Sequence, residues 1–315
     1  MHLTLLHNPK AGTGKPHKRE LLELFERAGH EVVYQSTKEK GFRRALKSPG
    51  ELVVAAGGDG TVGKVARWLI GSDLPLAILP LGTANNLARS LGLKGSVERL
   101  IGSLARWRAV KFDVGFARGP WGDGPFLEAA GAGLFPRMMS QHVENRNDGV
   151  PDAVDAHGGL RGGVKLLRQV LGDSAGHEST IRFDGRTVEG RYLLIEAMNT
   201  RTLGPVFELA PRARPGDGWL DLVLIREDQR GELERYLRAV EAGRRRRFPF
   251  SVQRARRIEL RCAATEFHFD DVYWPDHEER PLRRRKAVAG KIRVEIKLGA
   301  GALRMLVPDG KREVR

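Results

Sequence analysis

Short apolar runs and amphipathic stretches alternate along the first third of the chain. HLTLLHN, EVVYQST, ELVVAAG and LPLAILP are dense in Leu, Val, Ile and Ala and read as strands. HKRELLELFERAG places Leu21, Leu22, Leu24, Phe25 and Ala28 near one helical face, with Gly29 as a stop. GFRRALKS predicts a short helix ended by Pro49, and TVGKVARWLIG and ANNLARSLG predict two more. Strands that alternate with helices imply a parallel sheet covered on both faces. Such sheets bind ligands beyond the carboxyl ends of their strands.

After about Val110 the texture changes. GGVKLLRQVLG and GELERYLRAVEAG are the clearest remaining helices. Strand-like runs dominate, among them FLEAAGAGL, TVEGRYLLIEAMN, WLDLVLI, RIELRC, ATEFHFDDV and KIRVEIKL, punctuated by Gly, Pro and Asp. This pattern predicts a mainly antiparallel second domain over residues 113–301, following an α/β domain over residues 1–112. The run LRMLVP, within 302–315, is a candidate to return to the first domain. The polar, Gly-rich stretch from Ser140 to Gly163 reads as a long loop.

Composition narrows the classes. The 315 residues, 41% hydrophobic, can bury a sizeable core. No apolar run is long enough for a membrane span, and MHLTLLHNPK turns polar too soon for a secretory signal. These features and the lone Cys262, which excludes an internal disulfide framework, fit a cytoplasmic protein. Net charge is +15, from 54 Lys and Arg against 39 Asp and Glu, which favours an anionic partner or is a general compositional trait.

Three glycine-containing turns follow strands of the first domain: NPKAGTGK (Asn8–Lys15), GGDGT (Gly57–Thr61) and PLGTANN (Pro80–Asn86). The last two open helices, where backbone N–H groups and the helix dipole can hold phosphate. The first is not a Walker A loop, because Pro9 takes the place of the first glycine and Pro16 follows Lys15. Asp59, amid three glycines, is the sharpest candidate for holding Mg²⁺ or orienting a hydroxyl. Its structural alternative is to cap the following helix, for which Thr61 is better placed.

NPKAGTGK, GGDGTVGKVA and LPLGTANNLARSLGL, in this order, resemble the diacylglycerol kinase catalytic-domain superfamily, and within it the bacterial soluble lipid kinases. FLEAAGAGL, RARPGDGWLDLVLI and GALRMLVP are similar to later segments of that family, so the likeness covers nearly the whole chain. The GGDGT turn alone is shared with NAD kinases and 6-phosphofructokinases. The resemblance implies an NAD kinase- or phosphofructokinase-like α/β domain, a mainly antiparallel β-sandwich domain, and an active site between them. It implies ATP- and Mg²⁺-dependent phosphorylation of a lipid hydroxyl. Gly57, Gly58, Asp59, Gly60, Thr61, Val62 and Gly63 would cradle the ATP phosphates. Asn8, Thr37, Gly82, Thr83 and Asn85 would touch the nucleotide. Asp217, with the carbonyls of Arg214 and Trp219, would match a structural Mg²⁺ site; the plain alternative is a turn at Asp217-Gly218.

Two departures stand out. The family carries Asp-Gly-Glu late in the second domain, its Glu acting as general base, whereas Asp270-Asp271-Val272 stands here. The base would then be Glu279, Glu278 or Asp271, or the chain would bind nucleotide without turning it over. Asn86 stands where many members have Asp. His268 and His277 flank the altered triplet without metal-binding spacing. The basic runs RRRRFPF (Arg244–Phe250) and RRRK (Arg283–Lys286) read either as a solvated face or as a contact with an anionic membrane surface, Phe248 and Phe250 dipping into it, and the lipid-kinase resemblance favours the membrane. No nucleic-acid-binding motif accompanies them, so no nucleic acid is expected as partner. The other readings are NAD kinase and a non-catalytic nucleotide or lipid binder. Exposed strand edges would allow a homodimer.

Overall fold

The computed structural model describes residues 1–12, 16–147, 160–204, 207–244, 246–263, 266–275 and 291–309. The chain divides into two compact units: Met1–Val114 with Pro215–Asp217 and the chain from Ala300, and Gly115–Arg214 with Gly218–Gly299.

In the first unit β1 (His2–His7), β2 (Glu31–Ser36), β3 (Leu52–Gly57) and β4 (Leu76–Pro80) pair in parallel, in the order β2-β1-β3-β4. All six residues of β3 are buried, as a central parallel strand requires. Helices α1 (Lys18–Arg27), α2 (Asp59–Leu69), α3 (Asn86–Ser90) and α4 (Val97–Ser103) make or follow the crossovers. Leu21 and Phe25 of α1 and Leu100 and Ile101 of α4 share a core with Leu3, Leu5, Val54 and Leu79 of the strands. The run LRMLVP does return here, with Met305 pairing in parallel with Leu76. Asp113, 1% exposed, ties three distant segments together: Oδ1 accepts the N–H of Gly301 at 2.7 Å and Oδ2 that of Gly216 at 3.1 Å. The predicted helix at Thr61 starts two residues earlier, at Asp59, with Gly58 as its N-cap. Thr61 therefore lies inside the first turn and is not the cap.

The second unit draws on β5 (Trp107–Gly119), β6 (Gly122–Phe126), β7 (Ala129–Gly133), β8 (His177–Phe183), β9 (Arg186–Met198), the short pair β10 (Thr202–Leu203) and β11 (Phe207–Glu208), β12 (Leu220–Arg226), β13 (Val252–Ala255), β14 (Arg257–Cys262), β15 (Phe267–Phe269), β16 (Val272–Trp274) and β17 (Ile292–Pro308). Strand β5 and strand β17 also supply residues to the first unit. Its strand pairings are antiparallel. The first half of β9 pairs with β8, and its second half lies between β7 and β12. Alternation along β9 then separates two cores. Ile195 and Ala197 face a core shared with Ile181, Ile258, Leu260, Val294 and Phe267 of neighbouring strands. Leu194 and Met198 face a second core under helices α5 (Leu134–Asn147), α6 (Leu160–Asp173) and α7 (Arg230–Glu241).

The stretch from Ser140 to Gly163 is not one long loop. Helix α5 runs on through Ser140 to Asn147 and α6 begins at Leu160, with 148–159 outside the described residues. The α5 residues on the helix-side core are Leu134, Phe135, Met138 and Met139, and from Ser140 onward Val143 is the single apolar residue of the helix sequence. Phe248 and Phe250 also belong to this core, 7% and 6% exposed, with Phe248 edge-on to Tyr236. They are therefore not membrane-dipping side chains. Arg244, Arg246 and Arg247 are exposed, and 283–286 lie outside the described residues. Among the described residues no helix is long and apolar enough to cross a membrane.

Candidate active site

The registers of β1, β3 and β4 bring the three glycine-containing turns together at one sheet edge. His7 lies opposite Ala56, and Gly57 opposite Pro80, so the next residues of all three strands enter adjacent loops. The loops are bonded to one another. Asn8 N–H donates to the Ala56 carbonyl at 2.9 Å, and Leu81 N–H to the Gly57 carbonyl at 3.0 Å. Asn8 Nδ2 donates to Thr61 Oγ1 at 3.1 Å. Thr37, 5% exposed, joins through its N–H to the His7 carbonyl, and its own carbonyl accepts from Lys64 Nζ at 3.2 Å.

Close packing explains several of the glycines. A Cβ on Gly82 would lie 2.4 Å from Gly58 Cα, and one on Gly57 would lie 2.5 Å from Thr61 Cβ. The second and third loops thus touch backbone to backbone, and these glycines are needed for that contact before any ligand arrives. Gly60 is exposed in the first turn of α2. The N–H of Gly60 has no backbone acceptor within the helix by its geometry, whereas those of Thr61 and Val62 already donate to the Gly58 carbonyl. Val62 and Gly63 are buried on the core side of α2. Thr83 is exposed at the tip of the third loop. Asn85, at φ +50°, folds that loop on itself: Oδ1 accepts Gly82 N–H at 2.9 Å and Nδ2 donates to the Gly82 carbonyl at 2.6 Å.

Asp59 stands at two helix starts. It is the first residue of α2, and its Oδ1 accepts Leu87 N–H in the first turn of α3 at 3.0 Å. Burial pushes its carboxyl above the ordinary range, opposed by N–H groups of Leu87, Asn86, Asp59 and Asn85. Asn86 is 2% exposed.

In the second unit the altered triplet forms the turn between β15 and β16, where Phe269 pairs with Val272. Asp270 holds φ +51°, which Asp tolerates better than most residues. Its carboxylate accepts Leu127 N–H at 2.9 Å and Glu128 N–H at 2.8 Å, so it fastens the turn to the segment before β7. Asp271 is exposed, and Val272 is 38% exposed. Glu278, Glu279 and His277 lie outside the described residues.

Asp217 belongs to the first unit and Arg214 and Trp219 to the second. Next to this turn stands a guanidinium: Arg256 Nε donates to the Gly218 carbonyl at 3.1 Å, and its Cζ lies 4.2 Å from the Trp219 ring centre. Arg254 lies over the same ring at 5.4 Å. Among the described residues no cluster of three His, Cys, Asp or Glu side chains could hold a metal ion.

Sequence reasoning missed Glu196. It and His268 are fully buried, with Glu196 Oε2 2.9 Å from His268 Nε2. The signal was present as one carboxylate inside the apolar run YLLIEAM.

An α/β unit with three glycine-containing loops at one sheet edge and an antiparallel β unit are the two parts of a diacylglycerol kinase- and NAD kinase-like fold. Residues 2–117 match the diacylglycerol kinase catalytic domain, and residues 151–278 match the YegS C-terminal NAD kinase beta sandwich-like domain. A probable lipid kinase YegS-like protein of Pseudomonas aeruginosa is 31% identical over 232 residues, 71% of each chain. A diacylglycerol kinase of Bacillus subtilis is 26% identical over 241 residues, 73% of this chain and 76% of its own. The chain belongs to the YegS-like lipid kinase family. In fold it resembles a crystal structure of a Bacillus anthracis diacylglycerol kinase, with TM-score 0.67 and 19% identity over 97% of this chain and 96% of that one. It also resembles yeast NADH kinase, with TM-score 0.54 and 9% identity over 99% of this chain and 84% of that one.

Proposed function

We propose that this chain transfers the γ-phosphoryl group of ATP to the hydroxyl of a diacylglycerol-like lipid, with Mg²⁺. The observation that carries the reading is Asp59, a carboxylate set in the first turn of α2, where the helix N-terminus also favours phosphate. A triphosphate and a carboxylate in one place repel each other unless a cation lies between them. The residues fit that need, because the Asp59 carboxylate is a hard oxygen donor of the kind Mg²⁺ takes. When bound, Mg²⁺ supplies charge neutralisation at the β- and γ-phosphate oxygens.

The chain's own groups position and screen. The exposed Gly60 in the first turn of α2 offers its N–H to phosphate, and the Asn85 turn fixes the loop carrying Thr83. In the reaction the lipid oxygen bonds to the γ-phosphorus, the bond to the β–γ bridging oxygen breaks with its electron pair leaving on ADP, and the hydroxyl proton passes to a base. Asp271, Glu278 and Glu279 are the carboxylates proposed for that proton. The exposed Arg244, Arg246 and Arg247 are proposed to attract anionic lipid headgroups at the membrane surface.

The test is transfer of label from γ-labelled ATP with Mg²⁺ to diacylglycerol, phosphatidylglycerol, a sphingoid base, an undecaprenol-like alcohol and NAD. Asp59→Asn, Asp271→Asn and Glu279→Gln run beside the native chain. Label in one lipid, lost in Asp59→Asn and in one of the other two, supports the reading; label in NAD alone overturns it. A second reading, a nucleotide binder without turnover, rests on Val272, a side chain that cannot accept a proton. ATP binding without label in any acceptor would establish it.

A further inference from the structure

Glu196 lies on β9 and His268 on β15, two strands apart with β7 between them. Both pair in register with Gly131, and all three face the helix side of the sheet. Neighbouring strands lie about 5 Å apart, so the two side chains must meet across about 10 Å over the middle strand. Only a residue without a side chain allows this. A Cβ on Gly131 would lie 2.3 Å from Glu196 Oε2 and 2.4 Å from its Cδ. The Phe135 ring of α5, 4.8 Å from the imidazole, closes the site from above.

The other ring nitrogen settles the protons. His268 Nδ1 lies 3.2 Å from the Asp270 carbonyl, which can only accept, so Nδ1 must carry a hydrogen. A second proton must then lie between Nε2 and Oε2. Burial would lower His268, but Glu196 and the Asp270 carbonyl raise it further, and burial raises Glu196 itself. The pair is neutral overall and holds two protons, which suits a site with both side chains at 0% exposure. Glu196 Oε1 is buried and has no hydrogen-bond partner among the described residues, a cost that the packing of a core does not explain.

We infer that Glu196 and His268, meeting over Gly131, are positioning residues that hold the Asp270–Asp271–Val272 turn in place for phosphoryl transfer. The line of contacts is continuous: Glu196 fixes the imidazole, Nδ1 fixes the Asp270 carbonyl, and the Asp270 carboxylate fixes the N–H groups of Leu127 and Glu128. Neither side chain reaches solvent, so neither touches substrate. The inference rests on the proposed function in taking this turn as part of the transfer machinery.

The first test is ¹⁵N NMR of the native full-length chain near pH 7. Protons on Nδ1 of His268 and on the shared Nε2–Oε2 bond, both protected from exchange, are expected; an unprotonated Nδ1 overturns the clamp. The second is Glu196→Gln, which preserves shape, beside Gly131→Ala. Amide exchange at Leu127 and Glu128 should quicken at least tenfold in Glu196→Gln while that of Leu87 is unchanged; unchanged exchange overturns the clamp. In transfer assays Glu196→Gln should lower kcat at least tenfold and leave KM for ATP within about twofold. A fall in kcat that only follows the loss of folded protein would reduce the pair to a structural role. If the native chain labels no lipid, the proposed function fails, and the ring-nitrogen and exchange results still decide the clamp.

Discussion

Leu87 donates its backbone N–H to Asp59 Oδ1 at 3.0 Å, so one carboxylate begins α3 while sitting in the first turn of α2. Asp59 therefore has two separable tasks. Asp59→Asn keeps an acceptor for Leu87 and removes the charge, whereas Asp59→Ala removes both. The Asn variant should lose phosphoryl transfer by about 100-fold or more, as the loss of a charge-stabilising group does. Its stability should stay within about 1 kcal/mol of native, and Ala should cost about 1 kcal/mol more, the size of a lost cap. Urea denaturation beside the labelled-phosphate assay separates the two. Equal stability of Asn and Ala would show that the bond to Leu87 does not hold the loops.

Burial also sets a pH dependence. Asp59 binds its proton more tightly in the folded chain, because desolvation outweighs the N–H groups around it. Its contribution to stability is complete below about pH 4, the unfolded value, and is lost as pH rises through the folded value. The stability of the native chain relative to Asp59→Asn should fall across that window. If Asp59 acts as the anion in the proposed transfer, activity should fall on the acid side at a higher pH than an ordinary Asp would give. Denaturation and kcat/KM profiles from pH 4 to 8 check both slopes.

Gly82→Ala should be far worse than a surface substitution. Its Cβ would lie 2.4 Å from Gly58 Cα, where only backbone could move. A cost of about 2 kcal/mol or more is expected, with loss of ATP binding. Gly63→Ala is the control, since its Cβ would come no nearer than 3.9 Å to another group. Isothermal titration of both variants with ATP measures the difference.

The arginines and the phenylalanines of Arg244–Phe250 should separate on vesicles. Arg246→Glu with Arg247→Glu should weaken binding to anionic vesicles at low salt, by about 1 kcal/mol per charge, and leave the fold intact. Phe248→Ala should cost about 3–5 kcal/mol of stability and leave vesicle affinity of the folded fraction unchanged. Vesicle sedimentation and thermal melts are the measurements.

What the sequence made legible follows from where its signals are local. Continuous apolar runs such as LVVAAG predict buried parallel strands, and turn glycines after three of them predict loops at one edge, because both depend on neighbours in the chain. Phe248 and Phe250 were misread because an arginine run gives no sign that the next aromatics turn inward onto Tyr236. The second half of helix α5 is hidden because its dense apolar residues end at Met139 and only Val143 follows among polar ones. Glu196 and His268 were not paired because they are 72 residues apart and meet only through strand register over Gly131. Asp59 capping Leu87 was hidden for the same reason, with 28 residues between them.

The Asp113 carboxylate, which binds Gly301 across 188 residues, has a consequence for synthesis. Residues 1–112 leave the ribosome long before that partner exists. At about 5–20 residues per second, roughly 10–40 s separate the two ends of the bond. Through that interval the edge of β4 lacks its Met305 neighbour and Asp113 Oδ1 lacks the Gly301 N–H. The α/β unit is therefore finished last although it is begun first, and a nascent chain halted before Gly301 exposes an incomplete sheet to chaperones.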